Sequence, residues 1–510
     1  MKTISDVLIV GADFPGLLAA VNLKTKLPQL GVQVLRYPAK DDFCLEGLAT
    51  SQAFVTFLHE ELGIPPLVFL RAVRPTWRLG TRYEWGPREF FDYTYEFQID
   101  TQYRMLSREA GFYVGDSGRA FEDVGLASAL ISRGRIFPRG KDGQPVINPR
   151  RFGYHIERES LLRFLETLAL RVGVIFRDGA VTEVVRGEAG VACVKLDGGE
   201  QLLADLFVDA TGLQSLLLGQ TLGEQFHSFA PGLLCDKALV ATWARSADLI
   251  QPHSSVRTME AGWSWRTDHE RFIACGYAFN SRHIDAPKAE AQLREIYPQC
   301  GPVRLLNLPQ GRRENAWSAN VVAIGNASAL VEPLAAAGPE LLAFQCQWLA
   351  RSLMDCDRLI RPSLVKQYNK RWRRLVDTEN EFLGLFYRYN TRLQTPFWQE
   401  ARQSAYIGEL DPIVRCYQEI GPDSLHRNLL LYENDPIGLE GYFSVLVGQS
   451  VPWTNSWRPP SEEMAKWPSI LEHWQRSAAN AFTINEARNL FLGQAPMRTP
   501  VQRHAMPTMA

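Results

Sequence analysis

The sequence has no Cys-x-x-Cys pair and no Cys/His cluster at metal-ligand spacing. Its eight cysteines, Cys44, Cys193, Cys235, Cys275, Cys300, Cys346, Cys356 and Cys416, stand singly along 510 residues. No metal site is expected from that pattern, and scattered thiols of this kind fit a reduced, cytoplasmic protein. Net charge is also lacking: 55 Lys and Arg against 56 Asp and Glu leave −1, which gives no electrostatic reason for a nucleic-acid or anionic-membrane partner. No uninterrupted apolar run reaches membrane-spanning length. The first residues show neither the basic start nor the apolar stretch of a signal peptide. Internal repeats and low-complexity tracts are absent, and residues 498–510 read as a frayed tail.

Aromatic residues, by contrast, are plentiful: 13 Trp, 26 Phe and 16 Tyr. They supply either a large core or an aromatic-walled pocket for a planar ligand. Val7-Leu8-Ile9-Val10 is an apolar run ending on Gly11, residues 14–26 have helical character, and Val32 to Leu35 is a second buried strand. This is a βαβ opening. Helices are expected over Thr50 to Leu62 and Glu159 to Arg171, and a single strand over Thr76 to Trp85. Residues 100–150 read as loop-rich. A β-meander turns at Asp197-Gly198-Gly199, Leu203 to Asp209 and Val321 to Ile324 are further buried strands, and the segment from Lys237 to Phe279 is strand-rich. From Gly338 to about Leu492 the chain reads as helical with Pro-marked breaks. The expected organisation is a discontinuous module over 1–340, with an inserted mixed sheet, and a mostly helical region over 341–510.

Gly11-Ala12-Asp13-Phe14-Pro15-Gly16 occupies the place of a Gly-x-Gly-x-x-Gly dinucleotide loop between that first strand and helix. Gly11 serves the tight turn and Gly16 the close helix–strand contact. The second glycine, where backbone normally approaches a pyrophosphate, is Asp13, which adds bulk and negative charge beside the helix N-terminus. At the end of the second strand Arg36 replaces the usual ribose-binding acid. It reads either as a phosphate partner or as an exposed loop arginine.

Further motifs follow in order: Phe152-Gly153-Tyr154-His155-Ile156-Glu157-Arg158, Asp209-Ala210-Thr211-Gly212, Gly262-Trp263-Ser264-Trp265-Arg266, Ala323-Ile324-Gly325-Asn326-Ala327 and Glu332-Pro333-Leu334. As an ordered set from residue 5 to about 350 they resemble the tryptophan-halogenase family of flavin-dependent halogenases. The resemblance implies a mixed α/β fold, an FAD-binding Rossmann-like module of the flavin monooxygenase/halogenase type with an added helical substrate region. It further implies reduced FAD supplied by a flavin reductase, a flavin C4a-hydroperoxide attacked by halide, and a lysine beside the substrate that holds the oxidant. By that likeness Gly11, Ala12, Asp13, Gly16, Arg36, Ala49, Thr50, Gly325, Leu334 and Gly338 are the cofactor positions. The backbone of Ala337 and Gly338 is the halide position, and Trp263 and Trp265 border the substrate.

The sequence departs from that pattern at reactive positions. Arg78, in Thr76-Trp77-Arg78-Leu79-Gly80, falls where the family has its lysine. An arginine stays protonated and cannot form a haloamine, though it can hydrogen-bond an oxidant. Arg82 and Glu84 share its strand, as candidates or as a plain charge pair. Ala335-Ala336-Ala337-Gly338 replaces Glu-Ser-Thr-Gly, removing the assisting carboxylate while keeping amides that bind anions whatever the side chain. Leu48 replaces a glutamate in Gly47-Leu48-Ala49-Thr50, and Glu332 reads as structural. Three readings follow: an FAD-dependent halogenase-like oxidoreductase on an aromatic or electron-rich substrate, a flavin monooxygenase that needs no halide, and a non-catalytic relative that binds a small aromatic, a carrier-tethered intermediate or a partner protein.

Overall fold

A computed structural model describes residues 3–38, 43–95, 125–246, 249–430, 435, 437–455, 457 and 460–493. The early part of the loop-rich stretch expected over residues 100–150 and the tail read as frayed lie outside these residues.

The βαβ opening forms as its pattern requires. Asp6–Val10, Gly31–Leu35, Leu206–Asp209, Val321–Ala323 and Ile175–Arg177 lie in one six-stranded sheet, parallel except at the Trp317–Ser318 edge. The first strand sits at the centre with its last four residues buried, so a continuous apolar run was needed there, covered on both faces. The helix Phe14–Lys26 covers it, buried from Phe14 through Leu23 on its inner side. The motif acid Asp209 closes the adjoining loop: its carboxylate accepts hydrogen bonds from the amides of Thr211, Leu217 and Leu218 and from the Thr211 hydroxyl.

A seven-stranded sheet stands beside this module. It contains Lys237–Ala244, His253–Met259, Gly262–Asp268, Phe272–Phe279, Arg304–Asn307, Gly80–Glu84 and Phe91–Thr94. The segment over 76–85 is two strands rather than the single one expected. Thr76–Arg78 pairs with Gly153–Glu157 in a separate three-stranded sheet, whereas Gly80–Glu84 pairs parallel to His253–Met259. Leu79 is the hand-over point, where Leu79 N–H bonds the Pro252 carbonyl at 2.7 Å. The chain changes sheets within two residues and carries Arg78 to the border between them.

Helices Gly338–Asp355 and Pro362–Tyr389 lead the helical region. They tie both units together: Leu341 to Val376 join the core around the six-stranded sheet, and Phe382 to Tyr387 join the core of the seven-stranded one. All eight cysteines are free thiols.

Candidate active site

A cleft of about 1120 Å³, open mouth included, lies at the C-terminal ends of the parallel strands, where open α/β sheets bind ligands. Its lining includes Asp13, Ala49, Trp265, Gly325, Leu334 and Gly338. Behind it the glycine loop closes on backbone alone. A Cβ on Gly16 would come within 1.9 Å of the Gly11 carbonyl oxygen, and one on Gly11 within 2.3 Å of that of Ala210. These two glycines, with Ala12 between them, give the loop the close approach the motif requires.

At the mouth of the loop Asp13 is the cap of the first helix. One carboxylate oxygen accepts the Phe14 N–H at 2.5 Å, and the other is paired with Arg158, which also lines the cleft. Pro15 has no N–H to offer. An incoming phosphate therefore meets a helix end already satisfied by a carboxylate, with the Arg158 cation next to it. Arg36 is elsewhere: its guanidinium bonds Glu166 at 2.6 Å and Asp178 at 3.2 Å, and stacks 4.5 Å from the Phe176 ring centroid. The structure does not bring Arg36 to the cleft, because two carboxylates on neighbouring elements claim it.

Across the cleft from the loop stands a thin wall. On one side the turn before the helix Gly338–Asp355 alternates its residues: Ala336 and Gly338 face the cleft, Ala335 and Ala337 face a second cavity. Ala337 caps that helix and Gly338 begins it, so their amides belong to the set that a helix start leaves unpaired. The other part of the wall is Arg78, 1% exposed. Its Nη1 donates to the Thr50 carbonyl at 2.9 Å and to the Tyr95 hydroxyl at 2.6 Å, and its Nη2 donates to the Thr81 hydroxyl. Thr81 lines the cleft and Tyr95 lines the second cavity. Arg78 lines neither; it joins them through two hydroxyls. Thr50 is fully buried; its carbonyl accepts from Arg78 and its hydroxyl oxygen accepts the Tyr154 N–H. Arg82 and Glu84 are each held in a two-point pair, with Asp92 and Arg257, which leaves them structural.

The second cavity, about 810 Å³ with its open mouth included, contains two carboxyls that the sequence reading did not single out, Glu340 and Glu379. Burial pushes Glu340 up to about 7, with the Ser51 hydroxyl pulling the other way. Burial also pushes Glu379 up to about 8, reinforced by the charge of Glu340.

The two tryptophans divide. Trp265 lines the cleft, but Trp263 is fully buried, donating to Tyr387 at 3.1 Å and to Glu332 at 3.2 Å. The expectation that both border the substrate is not met at the second cavity, which neither lines: Trp265 faces the cleft, and the helix Pro362–Tyr389 covers Trp263. Glu332 belongs to that same buried cluster, raised to about 7 by burial. Two further hydroxyls facing the cleft are anchored from behind, Ser254 by His155 and Thr267 by His269, both at 2.9 Å. Burial lowers both imidazoles, His269 to about 3, so they act as neutral hydrogen-bond partners.

Arg158, Thr81, Tyr95, Glu340 and Glu379 were not anticipated as site residues. Only Arg158 had a signal, as the last residue of the Phe152–Arg158 motif. The cleft suits a flavin dinucleotide at its flavin end, where backbone and Trp265 form the walls. At the pyrophosphate end the Gly11–Gly16 cradle is intact and Asp13 opposes it.

Comparison with known proteins agrees with this geometry. The tryptophan halogenase family profile matches residues 6–465, well past the limit read from motifs. The tryptophan 7-halogenase RebH of Lentzea aerocolonigenes is 25% identical over 428 residues, 78% of this chain and 79% of its own. The solved structure of MibH, a lanthipeptide tryptophan 5-halogenase, superposes with a TM-score of 0.86 at 32% identity, covering 96% of this chain and 94% of that one. BrvH, a flavin-dependent halogenase from Brevundimonas sp. BAL3, shares the fold with a TM-score of 0.82 at 22% identity over 97% and 99%. With the profile matched over residues 6–465 and the fold of MibH shared over 96% of this chain, the chain belongs to the tryptophan halogenase family of flavin-dependent oxidoreductases.

Proposed function

We propose that this enzyme uses FAD in the cleft to oxidise an aromatic substrate held in the second cavity, by halogenation, with a separate reductase supplying the reduced flavin. The observation that carries the reading is Arg78, buried in the wall with Thr81 on the cleft side and Tyr95 on the chamber side. The residues that would hold FAD are the backbone of Gly11, Ala12 and Gly16 at the pyrophosphate, with Ala49, Gly325, Leu334 and Gly338 further along. When bound, the reduced flavin supplies the electrons that activate oxygen.

The chain's own residues do the rest. Ala337 and Gly338 offer amides to a halide where the two cavities meet. The Arg78 guanidinium donates to the Tyr95 hydroxyl and polarises it. Burial raises the Tyr95 phenol, so it remains neutral; its hydroxyl, which donates to the Thr50 carbonyl at 3.2 Å, would turn that hydrogen bond to an oxidant in the chamber. Glu340 supplies the carboxylate missing at position 335. With a pKa about 7 it can accept the proton lost by the arene and release it again near neutral pH. A second reading, oxygen transfer without halide, is favoured by the absence, among the described lining residues, of a lysine amine that could form a haloamine.

The test is turnover with a flavin reductase, FAD, oxygen and a panel of indoles and phenols, with and without bromide. Halogenated products seen by mass spectrometry, and reduced more than about tenfold by Tyr95→Phe at unchanged FAD affinity, are expected. Hydroxylated products independent of halide would establish the second reading. No product, together with no FAD binding, would return the protein to the non-catalytic reading.

A further inference from the structure

We propose that the chamber binds the ammonium group of an aromatic amine between Glu379 and Glu340, an inference that rests on the chamber being the substrate side. Glu379 is 7% exposed, and its Oε1 has no hydrogen-bond partner among the described residues. A buried carboxyl oxygen left open in this way costs free energy unless a ligand satisfies it. Phe344, Leu341, Leu375 and Phe382 line the same space and give an aromatic ring an apolar bed beside the two carboxyls.

The charges around the chamber narrow the ligand. No lysine or arginine is among its described lining residues. Arg78 reaches it only through the Tyr95 hydroxyl. On the rim, Glu440 is paired with Arg427, and Asp435 accepts the Tyr442 hydroxyl at 3.0 Å. Tyr93 and Tyr95 are held neutral by burial. A substrate carboxylate would find no cation here, whereas an ammonium meets two acids that yield their protons to solvent as it arrives. No group of three or more metal-ligating side chains occurs among the described residues, so the pair suits an organic cation better than a metal ion. Binding should therefore strengthen from about pH 6 to about pH 8, as Glu340 and Glu379 ionise.

The experiment is isothermal titration of the full chain with phenethylammonium, phenethyl alcohol and phenylacetate as probes, in two buffers of different ionisation heat. The ammonium is expected to bind at least about tenfold more tightly than the alcohol, to release protons at pH values about 6.5, where both acids are still largely protonated, and to lose its advantage in Glu379→Gln. That variant keeps the side-chain shape and removes the buried ionisable acid, and its melting temperature reports that it is folded. Equal binding of ammonium and alcohol, ammonium affinity unchanged in Glu379→Gln, or binding of none of the probes would overturn the inference. FAD titration of the same samples separates the two claims. If FAD binds and the amine does not, only the ammonium site falls; if the amine binds and FAD does not, only the flavin reading falls.

Discussion

Asp13 and Arg158 are ion-paired at the mouth of the glycine loop, joined across 145 residues of sequence, with the same carboxylate capping the first helix through the Phe14 amide. The pair changes the meaning of the acid in the loop. Asp13 is not a bare charge facing two phosphates; it is a neutralised cap, and Arg158 is a cation already present at the cleft wall. A pyrophosphate bound here would draw Arg158 to itself and leave Asp13 at the helix end, so on the proposed reading Asp13 weakens binding without abolishing it.

Asp13→Gly should therefore tighten FAD binding by about tenfold or more, because it frees the Phe14 amide and releases Arg158. Arg158→Ala should weaken it, leaving Asp13 unpaired beside the phosphates. Quenching of flavin fluorescence in a titration checks both. FAD affinity indifferent to either change would show that the pyrophosphate lies elsewhere.

Arg78 has its hydrogen bonds to Thr50, Thr81 and Tyr95 inside the wall. Arg78→Met should cost about 3 kcal/mol or more in urea unfolding, since three partners, two of them buried, lose their donor together. Arg78→Lys keeps a cation but replaces the planar fork with a point donor and should cost less, about 1–2 kcal/mol. A Met variant as stable as the parent would mean that water or a shifted side chain replaces the guanidinium with ease.

How far the site could be read from sequence follows from where its contacts run. The glycine loop was legible because its demands are local: Gly11 and Gly16 sit five residues apart and answer to one strand–helix turn. Arg78 was legible as a position and not as an arrangement. The switch of sheets at Leu79 has no pattern of its own, since alternation continues through it, and the partner Tyr95 lies beyond that break. Ala335-Ala336-Ala337 read as a loss of the assisting carboxylate, yet Glu340, in the first turn of the next helix, presents a carboxyl to the same cavity. Helical geometry alone does not say which wall that turn will face. Trp263 and Trp265 look alike in sequence and share a strand face, and only the helix Pro362–Tyr389 packed over one of them separates core from cleft.

Gly47 lines the cleft and lies against a buried imidazole: a Cβ there would approach the His269 Nε2 to 2.0 Å. His269 cannot swing away without giving up the Thr267 hydroxyl. Gly47→Ala should lower stability by about 1–3 kcal/mol through overpacking and should also weaken FAD binding, as Thr267 faces the same cleft. Thermal unfolding and FAD titration together check this. A variant that loses stability but keeps its flavin affinity would place Thr267 outside the flavin contact.

The buried acids also set how stability responds to pH. Glu332, Glu340 and Glu379 rise from an ordinary 4.5 to about 7, 7 and 8, in each case chiefly through burial. A carboxyl raised in the folded state holds its proton after the unfolded chain has released it. Below about pH 4.5 both states are protonated and these groups contribute in full. As pH rises from there to about 8 the unfolded state binds fewer protons than the folded one, so stability falls throughout that window and levels off above it. The melting temperature should therefore decline between about pH 5 and about pH 8. Glu379→Gln should flatten the upper part of that decline, because its amide has no proton to lose, and should raise the melting temperature at the alkaline end. A decline of unchanged slope in Glu379→Gln would mean that this carboxyl is solvated in the folded protein and that its open oxygen is met by water.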